Sequence, residues 1–325
     1  MKYTGITTTI PVDIIYASGR TCIDLNNSFI SSKNPERFIM TAEDENFPRN
    51  TCSWIKGIYA YLIKNKNIKE IIGVYYGDCS SNCSMLDALK LMGKKIIPFS
   101  YSPEKDRNFM YEEINKLITE LRTNINKVYK TKKELDKIRK KVFEIDKLTW
   151  QDDLVHGLEN HIFNVSCSDF QSSPEVFDRK ISEFLKNANK RKKFKQKIRL
   201  GYIGVPPINS EIYNFVESKN ARIVYNEVQR QFAMPDIIED IVEQYLVYTY
   251  PYGIFERLKD IEKEIKKRKI DALIHYTQSF CHHQIEDIII RKKIKIPVLN
   301  VEIDKPGSLD ARTKLRVESF LEMLQ

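Results

Sequence analysis

A cysteine and three of the chain's five histidines crowd into His275 to Gln284, HYTQSFCHHQ, directly behind the apolar run Ile270 to Ile274. Thiolate sulfur and neutral imidazole nitrogen are ligands for zinc and iron, and a thiolate is also a nucleophile and a redox group. The stretch therefore reads as a zinc site, an iron–sulfur ligand loop, a redox thiol or an ordinary packing junction. Five further cysteines, Cys22, Cys52, Cys79, Cys83 and Cys167, are scattered along the chain. Cys79 and Cys83 have the spacing of a structural zinc pair, but no second close pair exists. His282 and His283 are adjacent, and adjacent side chains on a helix point in different directions. On these grounds zinc is the less favoured metal.

The elements that must position these groups alternate between strand and helix. SWIKGIYAYLIKN has apolar residues at helical intervals, IKEIIGVYYGD is a short strand-like run, CSMLDALKLMG is a helix closed by Gly93, and KKIIPFSY is another strand. That is the rhythm of a parallel sheet with crossover helices. From about Pro103 to Lys195 the pattern turns helical, with Ile114, Leu117, Ile118, Leu121, Ile125 and Val128 on one stripe and Leu135, Ile138, Val142 and Ile145 on another. Alternation then resumes through IRLGYIGVPP, ARIVYNE, IDALIHYTQ and IPVLNVEID, each followed by a helical segment. The expected fold is α/β, with two Rossmann-like parallel-sheet domains and a helical insert between them. The expected boundaries are 1–102 for the first α/β domain, 103–196 for a helical segment packed on it, and 197–325 for the second α/β domain.

Within this framework Cys79 follows a strand and opens a helix, and so does Cys281. Cys52 lies in the loop FPRNTCSWIKG, just before a helical pattern. Ligands collect outside the carboxyl ends of strands in open parallel sheets, and a helix N-terminus favours the thiolate. Three thiolates from three loops can hold a four-iron cubane and leave one iron open. The competing reading makes each cysteine a small buried packing residue.

Composition narrows the classes. The 325 residues are 42% hydrophobic and 30% charged, as in an ordinary globular protein. The net charge of +9 comes largely from runs such as KTKKELDKIRKK and NKRKKFKQKIR, which read as solvated helix faces rather than a nucleic-acid surface. No apolar run is long enough for a membrane span, and the N-terminus lacks the pattern of a secretion signal. A soluble, cytoplasmic protein with reduced thiols is expected. GYIGVPP lacks the features of a phosphate-binding loop, so the chain is not expected to hydrolyse nucleotide itself.

Taken together and in order, TTTIPVDIIYASGRTCIDLNN, FPRNTCSWIKG, GVYYGDCSSN, HGLENHIF, YNEVQRQFAMP, IHYTQSFCHHQIED and IPVLNVEID followed by RTKLRVESFLEML resemble the 2-hydroxyacyl-CoA dehydratase and benzoyl-CoA reductase family, and within it the shorter double-cubane cluster proteins. The resemblance runs from Ile6 to Leu324. It implies an oxygen-sensitive iron–sulfur protein with cluster ligands between two α/β domains and electrons delivered by a separate ATP-hydrolysing activator that carries its own cluster. Cys52, Cys79 and Cys281 are the positions that carry over most directly, as ligands of a single cubane (4Fe-4S). Cys22, Cys83 and Cys167 would join them if the cofactor is a bridged double cubane (8Fe-9S). The implied activity is low-potential reduction of a small substrate. A single-cubane 2-hydroxyacyl-CoA dehydratase subunit and a non-catalytic electron-relay or cluster-delivery component are the alternatives. A homodimer, or a heterodimer with a homologue, is implied as the assembly.

Around the presumed cluster loop, His275, Gln278 and His282 are placed to give protons or hydrogen bonds to substrate or cluster, His275 being equally a satisfied strand-end histidine. Glu227 and Arg230 follow a strand end and either line the same cleft or form an inter-domain ion pair. His156, Glu159 and His161 are spaced for metal or for capping and packing. Arg49 is expected to offset the negative charge of a cluster at Cys52.

Overall fold

Eight short strands build two all-parallel sheets in the computed structural model, which describes residues 2–102 and 104–325. The turn expected at Pro103 lies outside the described residues. The first sheet joins β1 (Tyr3–Ile6), β2 (Thr21–Asp24), β3 (Glu70–Tyr76) and β4 (Lys95–Ser100) in the order β2-β1-β3-β4. The second joins β5 (Ile198–Gly204), β6 (Ala221–Asn226), β7 (Ala272–Gln278) and β8 (Val298–Ile303) in the order β6-β5-β7-β8. The two sheets thus have the same pattern of crossovers, as the α/β reading of the sequence requires.

The inner strands are largely buried because both of their faces are covered. Every residue of β7 is buried, as are the first five of β3. A Cβ at Gly73 would meet Leu86 at 2.4 Å, which is why the helix Ser80–Leu91 can lie directly on β3.

Between the sheets in sequence come the helices Arg107–Glu120, Ile125–Trp150, Gly157–Val165 and Pro174–Ala188. The single apolar stripe expected from Ile114 to Val128 is broken. Arg122 takes a left-handed conformation (φ 55°), Asn124 caps a new helix, and Ile125 in its first turn is 40% exposed. The helix Ile125–Trp150 packs into the core of the first sheet through Val128, Leu135, Ile138, Val142 and Ile145. It also carries two buried ion pairs, one to each half of the chain. Arg139 meets Asp13 at 2.9 and 3.2 Å, and Asp146 meets Arg268 at 2.9 and 2.6 Å.

The cores interlock across the two halves. Ala233, Met234, Ile241, Val242, Tyr245, Leu246 and Tyr248 are packed in the core of the first sheet, while Phe29 and Ile39 are packed in that of the second. No helix among the described residues is long and apolar enough to cross a membrane.

Candidate metal centre

The carboxyl ends of both sheets open onto one cavity of about 200 Å³. Its wall comes from residues just beyond β1 (Thr7 to Thr9), β2 (Asn26, Asn27), β3 (Asp78 to Asn82), β5 (Val205, Pro206) and β7 (Phe280 to His283), with Cys52 and Trp54 from the start of the helix Ser53–Lys64. Gly204, at φ +97°, turns the chain out of β5 where a Cβ would stand 2.1 Å from the Tyr276 carbonyl.

Cys52, Cys79 and Cys281 all line this cavity. Each is the residue immediately before a helical segment: Ser53–Lys64, Ser80–Leu91 and the single turn His282–Gln284. Cys79 Sγ accepts the Asn82 N–H at 3.4 Å, a thiol taking the place of the usual N-cap oxygen. Burial, followed by the charge of Cys281, pushes the Cys52 thiol up to about 12, with the N–H groups of Trp54 and Ile55 acting the other way. Burial and then Asp78 push Cys79 up to about 12, with smaller effects from Cys52 and Cys281. Cys281 is pushed up to about 11, again mainly by burial. Burial outweighs the helix ends at all three thiols, so the metal-free thiols are protonated rather than poised as thiolates as the sequence suggested, and they form the donor set that a thiolate-binding cation would complete. The residues therefore fit an iron–sulfur cluster held by three ligands.

Cys22, Cys83 and Cys167 do not line the cavity. Cys22 and Cys167 are buried in the core of the first sheet, and Cys83 Sγ donates to the Tyr75 carbonyl at 3.3 Å.

The adjacent histidines depart from expectation. His282 and His283 lie in a tight three-residue turn rather than a continuous helix, and their rings lie 4.0 Å apart. Cys281, His282 and His283 consequently present ligand atoms within 4.8 Å of one another. Adjacency does not separate them, so that argument against an imidazole-containing metal site fails. His283 Nδ1 is, however, already engaged, 2.8 Å from Glu286 and 3.2 Å from Arg257. His282 lines the cavity at its solvent-exposed rim, where partial desolvation and then His283 lower its pKa to about 4.

Of the other sequence candidates, Gln278 lines the cavity. Its Nε2 donates to the Asp304 carbonyl at 2.5 Å, and its Oε1 is buried without a partner. His275 is fully buried in β7, with Nδ1 3.0 Å from Asp287, and it does not line the cavity. Glu227 is held by two bonds from Arg257, 2.6 and 2.9 Å, and accepts the Gly204 N–H at 2.8 Å. Arg230 pairs with Asp260. Both pairs lie within the second half of the chain, so neither is the inter-domain pair the sequence suggested. His156 caps the helix Gly157–Val165 with Glu159, while His161 packs on Tyr213 with its pKa lowered to about 3 by burial. The Arg49 side chain is 91% exposed and leans toward Glu43, so helix N-termini rather than this guanidinium face the thiols.

Sequence reasoning passed over Asp24, Thr7 to Thr9, Asn82 and Asp78 as site residues. Burial raises the Asp78 carboxyl to about 7 even though it accepts the Cys79 N–H at 2.7 Å. The available signal was position: each lies at or just beyond a strand end, where parallel sheets bind ligands.

Fold and site together define a two-sheet α/β protein with a three-thiol pocket where its strand ends meet. A family model described as 2-hydroxyglutaryl-CoA dehydratase, D-component, matches residues 7–324, and the chain belongs to that family. A search of curated proteins returned no match.

Proposed function

We propose that the chain is an oxygen-sensitive iron–sulfur protein in which Cys52, Cys79 and Cys281 hold a single four-iron cubane, and that it reduces a small substrate with electrons from a separate ATP-hydrolysing activator. The observation that carries this reading is the meeting in one cavity of three thiols from three loops, each on the residue that precedes a helical segment. When bound, such a cluster supplies low-potential one-electron chemistry at an iron without a protein ligand. The chain's own part is to supply the thiolates, to face them with helix N-termini, and to hold Gln278 and neutral His282 on the same wall.

The reading takes one cubane rather than two because packing already accounts for Cys22 and Cys167, and Cys83 is committed to a strand carbonyl. The activator is carried by family membership alone. Anaerobic assay of the protein with activator and ATP tests the reading. Oxidation of the reduced protein by a small substrate alone marks a catalyst, whereas oxidation only in the presence of a second metalloenzyme marks an electron relay.

A further inference from the structure

Cys281, His282 and His283 all line the cavity, and one ligand atom from each lies within 4.8 Å of the others. Two donors on one tetrahedral zinc ion, with bonds of about 2.0–2.3 Å, stand roughly 3.3–3.8 Å apart, so side-chain rotation alone brings the trio onto one ion. Among the described residues this is the one trio of His, Cys, Asp and Glu so disposed, and Cys52 and Cys79 do not join it. The three cavity thiols suit the separate irons of a cluster, whereas a single ion is met by one thiol and two imidazoles.

Behind the rings stands a carboxylate. Glu286 Oε2 lies 2.8 Å from His283 Nδ1, Arg257 holds the same carboxylate, and Glu227 holds Arg257 at 2.6 and 2.9 Å. A carboxylate on one ring nitrogen is the arrangement that fixes a metal-binding histidine and leaves the other nitrogen's lone pair to the ion. Here that nitrogen is His283 Nε2, which has no hydrogen-bond partner among the described residues and is not sealed from solvent. The His282 ring, 4.0 Å from that of His283, is exposed and likewise makes no hydrogen bond among the described residues. Charge favours a cation as well, because the single guanidinium of Arg257 faces two carboxylates, Glu227 and Glu286.

We infer that Cys281, His282 and His283 form a mononuclear site for a divalent cation of the zinc class. Binding exchanges the Cys281 thiol proton for the metal and releases that proton to solvent, while both imidazoles enter neutral. Three protein ligands leave a tetrahedral ion one position for water or another small ligand. The site goes beyond the cluster reading and does not depend on it. Cys281 belongs to both, so ion and cluster exclude one another, and zinc uptake by the cluster-free chain blocks assembly of the cluster.

The test is anaerobic optical titration of the iron-free full chain with cobalt(II), a coloured stand-in for zinc that accepts imidazole as readily as thiolate. About one equivalent should give a sulfur-to-cobalt charge-transfer band together with the visible bands of a tetrahedral ion. Glu286→Gln should weaken cobalt binding about 10–100-fold, and His282→Ala and His283→Ala should each weaken it at least as much. Cys281→Ser should abolish the charge-transfer band, whereas Cys52→Ser and Cys79→Ser should leave both band and affinity. His282 is exposed, so its variant alters the site without disturbing the core. Absence of the band, its loss in Cys52→Ser or Cys79→Ser, or unchanged binding in His282→Ala and His283→Ala would overturn the inference. Iron and sulfide assayed on the same proteins before stripping keep the two readings apart: a wild type that carries no cluster iron yet shows the cobalt site supports the inference while defeating the cluster assignment.

Discussion

Ser53 Oγ donates to the Asp304 carboxylate at 3.1 Å, joining the residue after Cys52 to the residue after β8. The Asp304 carbonyl in turn accepts from Gln278, three residues before Cys281. One residue of the second half thus ties together two of the three thiol-bearing loops.

Breaking this tie should loosen the site before it unfolds the protein. Asp304→Ala should cost about 1.5–3 kcal/mol, the range for hydrogen bonds to a charged group, in denaturant unfolding of the iron-free chain. It should also speed cluster loss from the loaded protein, followed as bleaching of visible absorbance. Unchanged bleaching with lowered stability would detach the tie from the site.

The six cysteines should separate into two groups. Replacing Cys52, Cys79 or Cys281 by Ser should remove most of the iron, whereas Cys83→Ser should leave it nearly intact, because that thiol is turned toward the Tyr75 carbonyl. Iron loss in the Cys22, Cys83 and Cys167 variants alike would point to a six-thiol centre.

Glu227 is a structural partner on the geometry, so its loss should act on folding. Glu227→Gln leaves Arg257 buried beside one fewer carboxylate and should cost about 3–5 kcal/mol. Glu286 stays within reach of the same guanidinium and should hold the cost toward the lower end. Full stability together with lost turnover would instead return Glu227 to the catalytic group.

Proton release gives the pH dependence its sign. The thiols of Cys52, Cys79 and Cys281 are raised to about 12, 12 and 11, so the metal-free site stays protonated at neutral pH and each metal–thiolate bond must expel a proton. Occupancy should therefore rise with pH and fall as acid competes for sulfur. Titrating iron-free protein with cadmium, a thiophilic probe, in weak buffer at pH 7 should release about three protons per site and about two in Cys281→Ser. Release of fewer than one would exclude a three-thiolate centre.

How much of this was legible in the sequence depended on the kind of signal. β3, β5, β7 and β8 are six or seven residues long and rich in apolar side chains, long enough to be read, and three site cysteines stood out because each opens a helical segment. β1 and β2 are only four residues each, YTGI and TCID, too short for periodicity to register. Glu227 and Arg257 are 30 residues apart, and no local pattern announces their pairing. The convergence of His282 and His283 depends on a tight turn where a continuous helix was assumed.

Iron and acid-labile sulfide analysis of protein purified without oxygen from iron-replete cells decides whether Cys52, Cys79 and Cys281 hold a single cubane. A single cubane gives a brown protein with about four iron and four sulfide per chain, bleached by air. A colourless protein carrying stoichiometric zinc and no sulfide would contradict it.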